Sequence, residues 1–136
     1  SANGKGVASP GFVDLQVNGF GGIDFLHADA AGYRVAGQAM LETGVTAYLP
    51  TFITAPEEQL VAALSEIPNG SEGPHVLGAH LEGPFLAPER LGTHPESARR
   101  DPDTDLLERL LAAGAPRPIV ALAFGPGLWA ELVLLR

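Results

Sequence analysis

The chain contains no cysteine, which excludes a disulfide framework and any metal site built on thiolates. It is also poor in cations: eight Lys and Arg stand against sixteen Asp and Glu, a formal net charge of -8. Clustered Lys and Arg are what grip a phosphate backbone, so this balance argues against a nucleic-acid partner. No apolar run approaches the roughly 20 residues a membrane helix needs, and no membrane partner is expected. No basic-then-apolar leader opens the chain, so the expected compartment is the cytoplasm. What is present is globular in character. The 136 residues are 46% apolar and 18% charged, enough to bury the core of one ordinary domain.

Residues 1–9 form a Gly- and Ser-rich lead-in. From Pro10-Gly11 onward, strand and helix patterns alternate. Val13 to Asn18 alternates apolar with polar, which predicts a strand with Val13, Leu15 and Val17 on one face. Asp14, Gln16 and Asn18 lie on the other face, as befits either the inside of a barrel mouth or an exposed edge strand. Gly19, Gly21 and Gly22 end it in a loop whose backbone is free to approach a ligand. Ala30 to Thr43 is expected to be helical, with Gly44 just beyond its end. Val45 to Thr54 is β-branched and aromatic and reads as a strand, although Pro50 predicts that regular pairing ends near it. Thr54, Pro56 and Glu57 fit the N-cap, first turn and N3 of a helix carrying Leu60, Val61, Leu64 and Ile67. Ala87 to Pro102 is a long polar loop, functional or disordered. Asp103 or Thr104 caps a third helix with a stripe of Leu106, Leu107, Leu110 and Leu111. Pro118 to Phe124 is a fourth strand, broken by Gly125-Pro126-Gly127. The order β-α-β-α-β-α-β implies an α/β fold with a parallel sheet and right-handed crossovers.

One stretch organises the rest. The apolar run from His75 to Leu81 reads as a buried strand and ends in a lone carboxylate, Glu82, after which Gly83-Pro84 stops regular pairing. In a parallel α/β fold the C-terminal ends of the strands are where ligands and metals are held. Glu82 is therefore the leading candidate for a chemical role, against the plainer alternative of a solvated acid opening a turn. His80 shares its face, as a site residue or a hydrogen-bonded core histidine. His27 is expected to be solvated and His75 structural.

Three motifs carry a resemblance. Pro10-Gly11-Phe12-Val13-Asp14-Leu15-Gln16-Val17-Asn18-Gly19 with Gly21-Gly22 resembles the opening barrel strand of N-acetylglucosamine-6-phosphate deacetylases, in the amidohydrolase superfamily. Thr46-Ala47-Tyr48-Leu49-Pro50-Thr51 resembles their second strand. His80-Leu81-Glu82-Gly83-Pro84-Phe85-Leu86, followed by Gly92-Thr93-His94, resembles their third strand and its loop. The resemblance implies a TIM (β/α)8 barrel with its site at the C-terminal ends of the strands. It implies one divalent metal, zinc or iron, and hydrolysis of the N-acetyl group of N-acetylglucosamine 6-phosphate to glucosamine 6-phosphate and acetate. It transfers the role of metal ligand to Glu82, and that of meeting the amino-sugar phosphate to Thr93 and His94. Most of the superfamily has His-x-His on the first strand, where this chain has Gln16-x-Asn18. Neutral amides are poor zinc ligands beside imidazole, so Gln16 and Asn18 are expected behind the ligands, holding them or a water.

The family's two metal-binding histidines and its catalytic aspartate lie on later strands. Their counterparts are expected beyond Arg136, so no catalytic residue is identifiable in this chain. A complete (β/α)8 barrel takes roughly 250 residues. Residues 10–136 therefore read as the first four β/α units of an incomplete barrel, inactive when alone. The family's fourth strand tends to run into Leu-Ala-Pro-Glu, whereas Leu122-Ala123 continues as Phe124-Gly125, which puts the native origin of the last dozen residues in doubt. Unpaired outer edges predict self-association, most simply a homodimer, or pairing with a complementary half. The alternative function is a non-catalytic half-barrel module serving structure or assembly.

Overall fold

The computed structural model describes residues 9–70 and 73–122. The first strand, β1 (Phe12–Val17), runs into a small antiparallel hairpin, β2 (Gly19–Phe20) and β3 (Ile23–Asp24). Its two-residue turn is Gly21-Gly22, both at positive φ, the backbone that a tight hairpin turn demands. A single 3-10 turn follows at Phe25–His27, capped by the Asp24 carboxylate, and leads into α1 (Ala30–Glu42). Asp29 caps α1 by accepting from Gly32 N, and Gly44 closes it at φ +87°. Then come β4 (Val45–Ile53), α2 (Glu57–Ser65), β5 (His75–Val76), β6 (Ala79–Glu82), α3 (Thr104–Gly114) and β7 (Ile119–Leu122).

The strands β1, β4, β6 and β7 lie side by side in that order, all parallel, with β5 pairing alongside the first half of β4. This is the α/β architecture that the alternating patterns predict. Side chains alternate across a strand, and here the alternation divides the sheet sharply. Tyr48 and Phe52 of β4 and Ala79 and Leu81 of β6 enter a core with Tyr33 and Met40 of α1, Leu60 and Leu64 of α2, and Leu106 and Leu110 of α3. Thr51, His80 and Glu82 consequently face the other way. Phe25 stacks between Tyr33 and Tyr48, with ring centroids 5.0 and 5.6 Å away. Arg109 of α3 grips Glu57 of α2 through two hydrogen bonds, 2.5 and 3.1 Å. These bonds hold the Glu57 carboxyl below its ordinary range.

Several local expectations are corrected. Pairing does not end at Pro50: β4 runs on to Ile53, and Thr51, Phe52 and Ile53 pair with His80, Leu81 and Glu82. The proline is accommodated because it falls opposite Val17 at an irregularity in the β1–β4 register, the kind of place where a missing N–H is tolerated. Thr54 does not cap α2. Pro56 occupies that position with no side-chain cap, and Thr54 is buried with its hydroxyl turned elsewhere. The His75–Leu81 run is two short strands, interrupted at Leu77-Gly78, with Leu77 exposed. Val13 and Leu15 share a face with Val17, yet only Val17 is covered. Among the described residues β1 is an edge strand, and Phe12, Val13 and Leu15 are each more than half exposed. The choice of third cap falls to Asp103, which accepts from Leu106 N. The Ala87–Pro102 loop is ordered by two 3-10 turns, by Arg99 Nε donating to Leu86 O at 2.8 Å and by Arg100 N donating to Pro84 O at 3.0 Å. The fourth strand is described from Ile119 to Leu122, and the Ala123-Phe124 end that its pattern predicts lies outside the described residues. Phe124 to Arg136, whose native origin the sequence puts in doubt, lie outside the described residues.

Candidate metal and substrate site

Parallel strands end on one side, so the C-terminal edge of the sheet gathers Asn18 after β1, Thr54 after β4 and Glu82 at the end of β6. The Glu82 carboxylate is met there from both sides. Gln16 Nε2 donates to Oε1 in a close contact, and Asn18 Nδ2 donates to Oε2 at 3.4 Å. The Asn18 amide also lies 3.5 Å from the Thr51 carbonyl, and the Thr51 hydroxyl accepts from Val17 N at 3.0 Å. Every residue in this cluster is thus positioned by the β1–β4–β6 pairing rather than by a loop.

Thr54 is the hub that sequence reasoning missed. Its hydroxyl donates to the Glu82 carbonyl at 2.8 Å, and its N–H donates to His94 Nδ1 at 3.3 Å. One buried residue therefore ties both the acid's main chain and the loop histidine. The N–H donor fixes Nδ1 as an acceptor, so the neutral ring carries its proton on Nε2. A threonine next to a Pro-Glu pair carries the pattern of a helix cap, and nothing in the sequence distinguishes this other use. Thr93, by contrast, is exposed, with no side-chain hydrogen bond among the described residues. His27 is exposed and pairs with Asp24, Nδ1 to Oδ2 at 3.0 Å. His75 is exposed at the start of β5.

The donor set bears on which cation could sit here. Glu82 offers a hard anionic oxygen suited to a divalent metal, and two amides hold it in place. His80, two residues before Glu82 on the same face, has a buried Nδ1 without a partner among the described residues. No group of three or more His, Cys, Asp or Glu side chains able to hold a metal occurs among the described residues. Glu82 thus fits as one ligand of a set rather than as a complete site, since catalytic zinc usually takes three protein ligands and an open position. The catalytic aspartate and the two histidines expected beyond Arg136 fall outside the described residues, which end at Leu122.

No family model matches the chain. Comparison with known proteins is nevertheless informative. Over 119 residues the chain is 40% identical to the human N-acetylglucosamine-6-phosphate deacetylase, spanning 83% of this chain and 29% of the human protein. It is 33% identical over 119 residues to an N-acetylgalactosamine-6-phosphate deacetylase of Escherichia coli O157:H7, of which it covers 32%. The crystal structure of the Mycobacterium smegmatis N-acetyl-D-glucosamine-6-phosphate deacetylase superposes with a TM-score of 0.75 at 31% identity, over 87% of this chain and 33% of that one. A variant of the same enzyme, solved in complex with N-acetyl-D-glucosamine-6-phosphate, gives a TM-score of 0.69 at 34% identity. The chain thus spans about a third or less of each of these proteins.

Proposed function

The chain is homologous to the N-acetylglucosamine-6-phosphate deacetylases over 29% of the length of the human protein. From that premise we propose that it supplies the opening β/α units of an amidohydrolase barrel that removes the acetyl group of N-acetylglucosamine 6-phosphate. The observation that carries this reading is the convergence of the Gln16 and Asn18 amides on the two oxygens of Glu82, at the strand edge where such folds hold their metals. Glu82 would hold a single divalent cation, zinc or iron, together with ligands from polypeptide other than the described residues. Such a cation polarises an amide carbonyl and acidifies a water.

The chain's own part is positioning. Gln16 and Asn18 orient the carboxylate, and Thr54 locks the backbone that carries it. The Thr54 N–H keeps His94 Nδ1 occupied, leaving Nε2–H to donate to an oxygen of the sugar or its acetamide. Thr93 is assigned to the same substrate edge. The proton-moving group is not among the described residues, so the chain alone is expected to be inactive and to act in an assembled barrel, as a dimer or with a complementary half.

A chimera tests this: the chain replaces the matching third of the Mycobacterium smegmatis enzyme, and acetate release and bound metal are measured. Metal-dependent turnover, lost together with metal in Glu82→Gln, is the expected result. Undiminished metal content and turnover in that variant would remove Glu82 from the site. A second reading, a non-catalytic module, is favoured by the single carboxylate the described residues bring to this edge. It predicts that the folded chimera binds metal and substrate no better than the Mycobacterium enzyme with that third deleted.

A further inference from the structure

A cavity of about 340 Å³ opens on the helix side of the sheet, between α1, β4 and the segment ahead of β5, and shares no residue with the Glu82 cluster. Tyr33, Arg34, Tyr48, Pro68, Pro74 and Val76 line it. Its volume lies within the range of small-molecule sites, ~300–1,000 Å³.

Several side-chain donors at this cavity have no acceptor among the described residues. Three buried side-chain polar atoms lack a hydrogen-bond partner among the described residues, and two of them, Tyr33 Oη and Arg117 Nε, gather here. Arg117 donates through Nη2 to the Pro68 carbonyl on the cavity wall, and its charge acts on both tyrosines. Arg34 and the Tyr48 hydroxyl have no partner among the described residues either, although Tyr48 is only 2% exposed. Among the described residues no Asp or Glu lines the cavity. Glu66 acts on Tyr33 from nearby, and Arg117 opposes it.

Buried donors without acceptors are uncommon and call for an explanation. One guanidinium and two phenols lining an apolar-walled cavity, with a second guanidinium bonded to its Pro68 wall, are complementary to negative charge in a chain carrying twice as many acids as bases. We propose that this cavity binds a small organic oxyanion, a carboxylate or phosphate monoester on an apolar ring. The ring packs among Tyr33, Pro68 and Pro74, and the anion is met by Arg34 and the Tyr48 hydroxyl. Arg117, bonded to the Pro68 carbonyl on the wall, supplies favourable potential.

The test uses the 136-residue chain with four probes: benzoate, phenyl phosphate, phenol and inorganic phosphate. Binding is followed by tyrosine absorbance and by the rise in melting temperature. Benzoate or phenyl phosphate is expected to bind with a dissociation constant of about 1 mM or tighter, and whichever of the two binds more strongly identifies the anion. Arg34→Gln, at an exposed position, is expected to weaken that binding about tenfold without altering the unliganded melting temperature. Tyr48→Phe, which keeps the ring, should weaken it by about fivefold. Phenol binding as tightly as the anions, an Arg34→Gln variant with unchanged affinity, or no response to either ring-bearing anion would each overturn the proposal. Inorganic phosphate binding as tightly as phenyl phosphate would overturn the role given to the ring.

Discussion

Replacing Gly83 by alanine tests whether the Glu82 edge is built as described. Gly83 sits at φ +97°, a conformation that costs an L-residue about 1–2 kcal/mol. A Cβ there would lie 2.2 Å from Thr54 Oγ1 and 3.2 Å from Leu86 Cγ. Thr54 is buried and cannot swing into water, so relief requires its hydroxyl to abandon the Glu82 carbonyl. That adds about 1–3 kcal/mol for a lost bond and a buried acceptor left bare. The sum is about 2–5 kcal/mol, a sizeable part of the roughly 7–20 kcal/mol that 136 residues ordinarily hold. Urea denaturation of the wild type, Gly83→Ala, Thr54→Ala and the double variant completes a cycle. In the Thr54→Ala background the clash with Oγ1 is gone, leaving the backbone strain of about 1–2 kcal/mol and the tight approach to Leu86 Cγ. The cycle should therefore report a coupling of about 1–3 kcal/mol. A cost for Gly83→Ala below about 1 kcal/mol, or zero coupling with Thr54, would refute the geometry of this edge.

Other perturbations have equally definite signs. Tyr33→Phe removes a buried hydroxyl that has no partner among the described residues, so it should stabilise the unliganded chain by about 1 kcal/mol, read as a higher urea midpoint. The Arg109 hydrogen bonds lower the Glu57 pKa, so their contribution is present above the ordinary carboxylate range and lost as pH falls through it. Arg109→Ala should therefore differ from wild type in urea midpoint near neutrality and converge with it in acid. Burial pushes the Tyr48 phenol up to about 12 from 10.0. Stability from that group is complete below pH 10 and declines as pH rises toward 12. A near-ultraviolet alkaline titration should therefore show Tyr48 ionising late and together with unfolding.

The sequence made the layered plan legible because helix and strand periods are written in spacing. Ala30 to Glu42 has a clear apolar face and Gly44 behind it, and the leucines of α3 mark their own stripe. Glu82 was legible as a candidate because it ends a strand, and Gln16 and Asn18 because they share one polar face and stand where the resembling family's superfamily carries His-x-His; the parallel pairing of β1, β4 and β6 brings the three together. Three features were hidden. Pro50 breaks most interior strands, and only the irregular β1–β4 pairing, a tertiary property, makes room for it. Thr54 is followed by the residues of a cap, yet a long-range acceptor on β6 outcompetes the local one. Gly21-Gly22 fits a loop with room for a ligand, but a two-glycine turn between short strands is also a hairpin signal, and the structure uses it so. The donor-rich cavity behind Tyr33 and Tyr48 left no trace, since its members are spread from α1 to the segment before β7.

Pro50 carries a last consequence. It offers β1 no amide hydrogen, so that rung of the β1–β4 pairing lacks one donor, while the Val17 amide is met by the Thr51 hydroxyl. Side chains alternate across a strand, so a slip of β1 by one residue would carry Gln16 and Asn18 to the opposite face. The seating of this one strand therefore decides whether the two amides reach the acid at all.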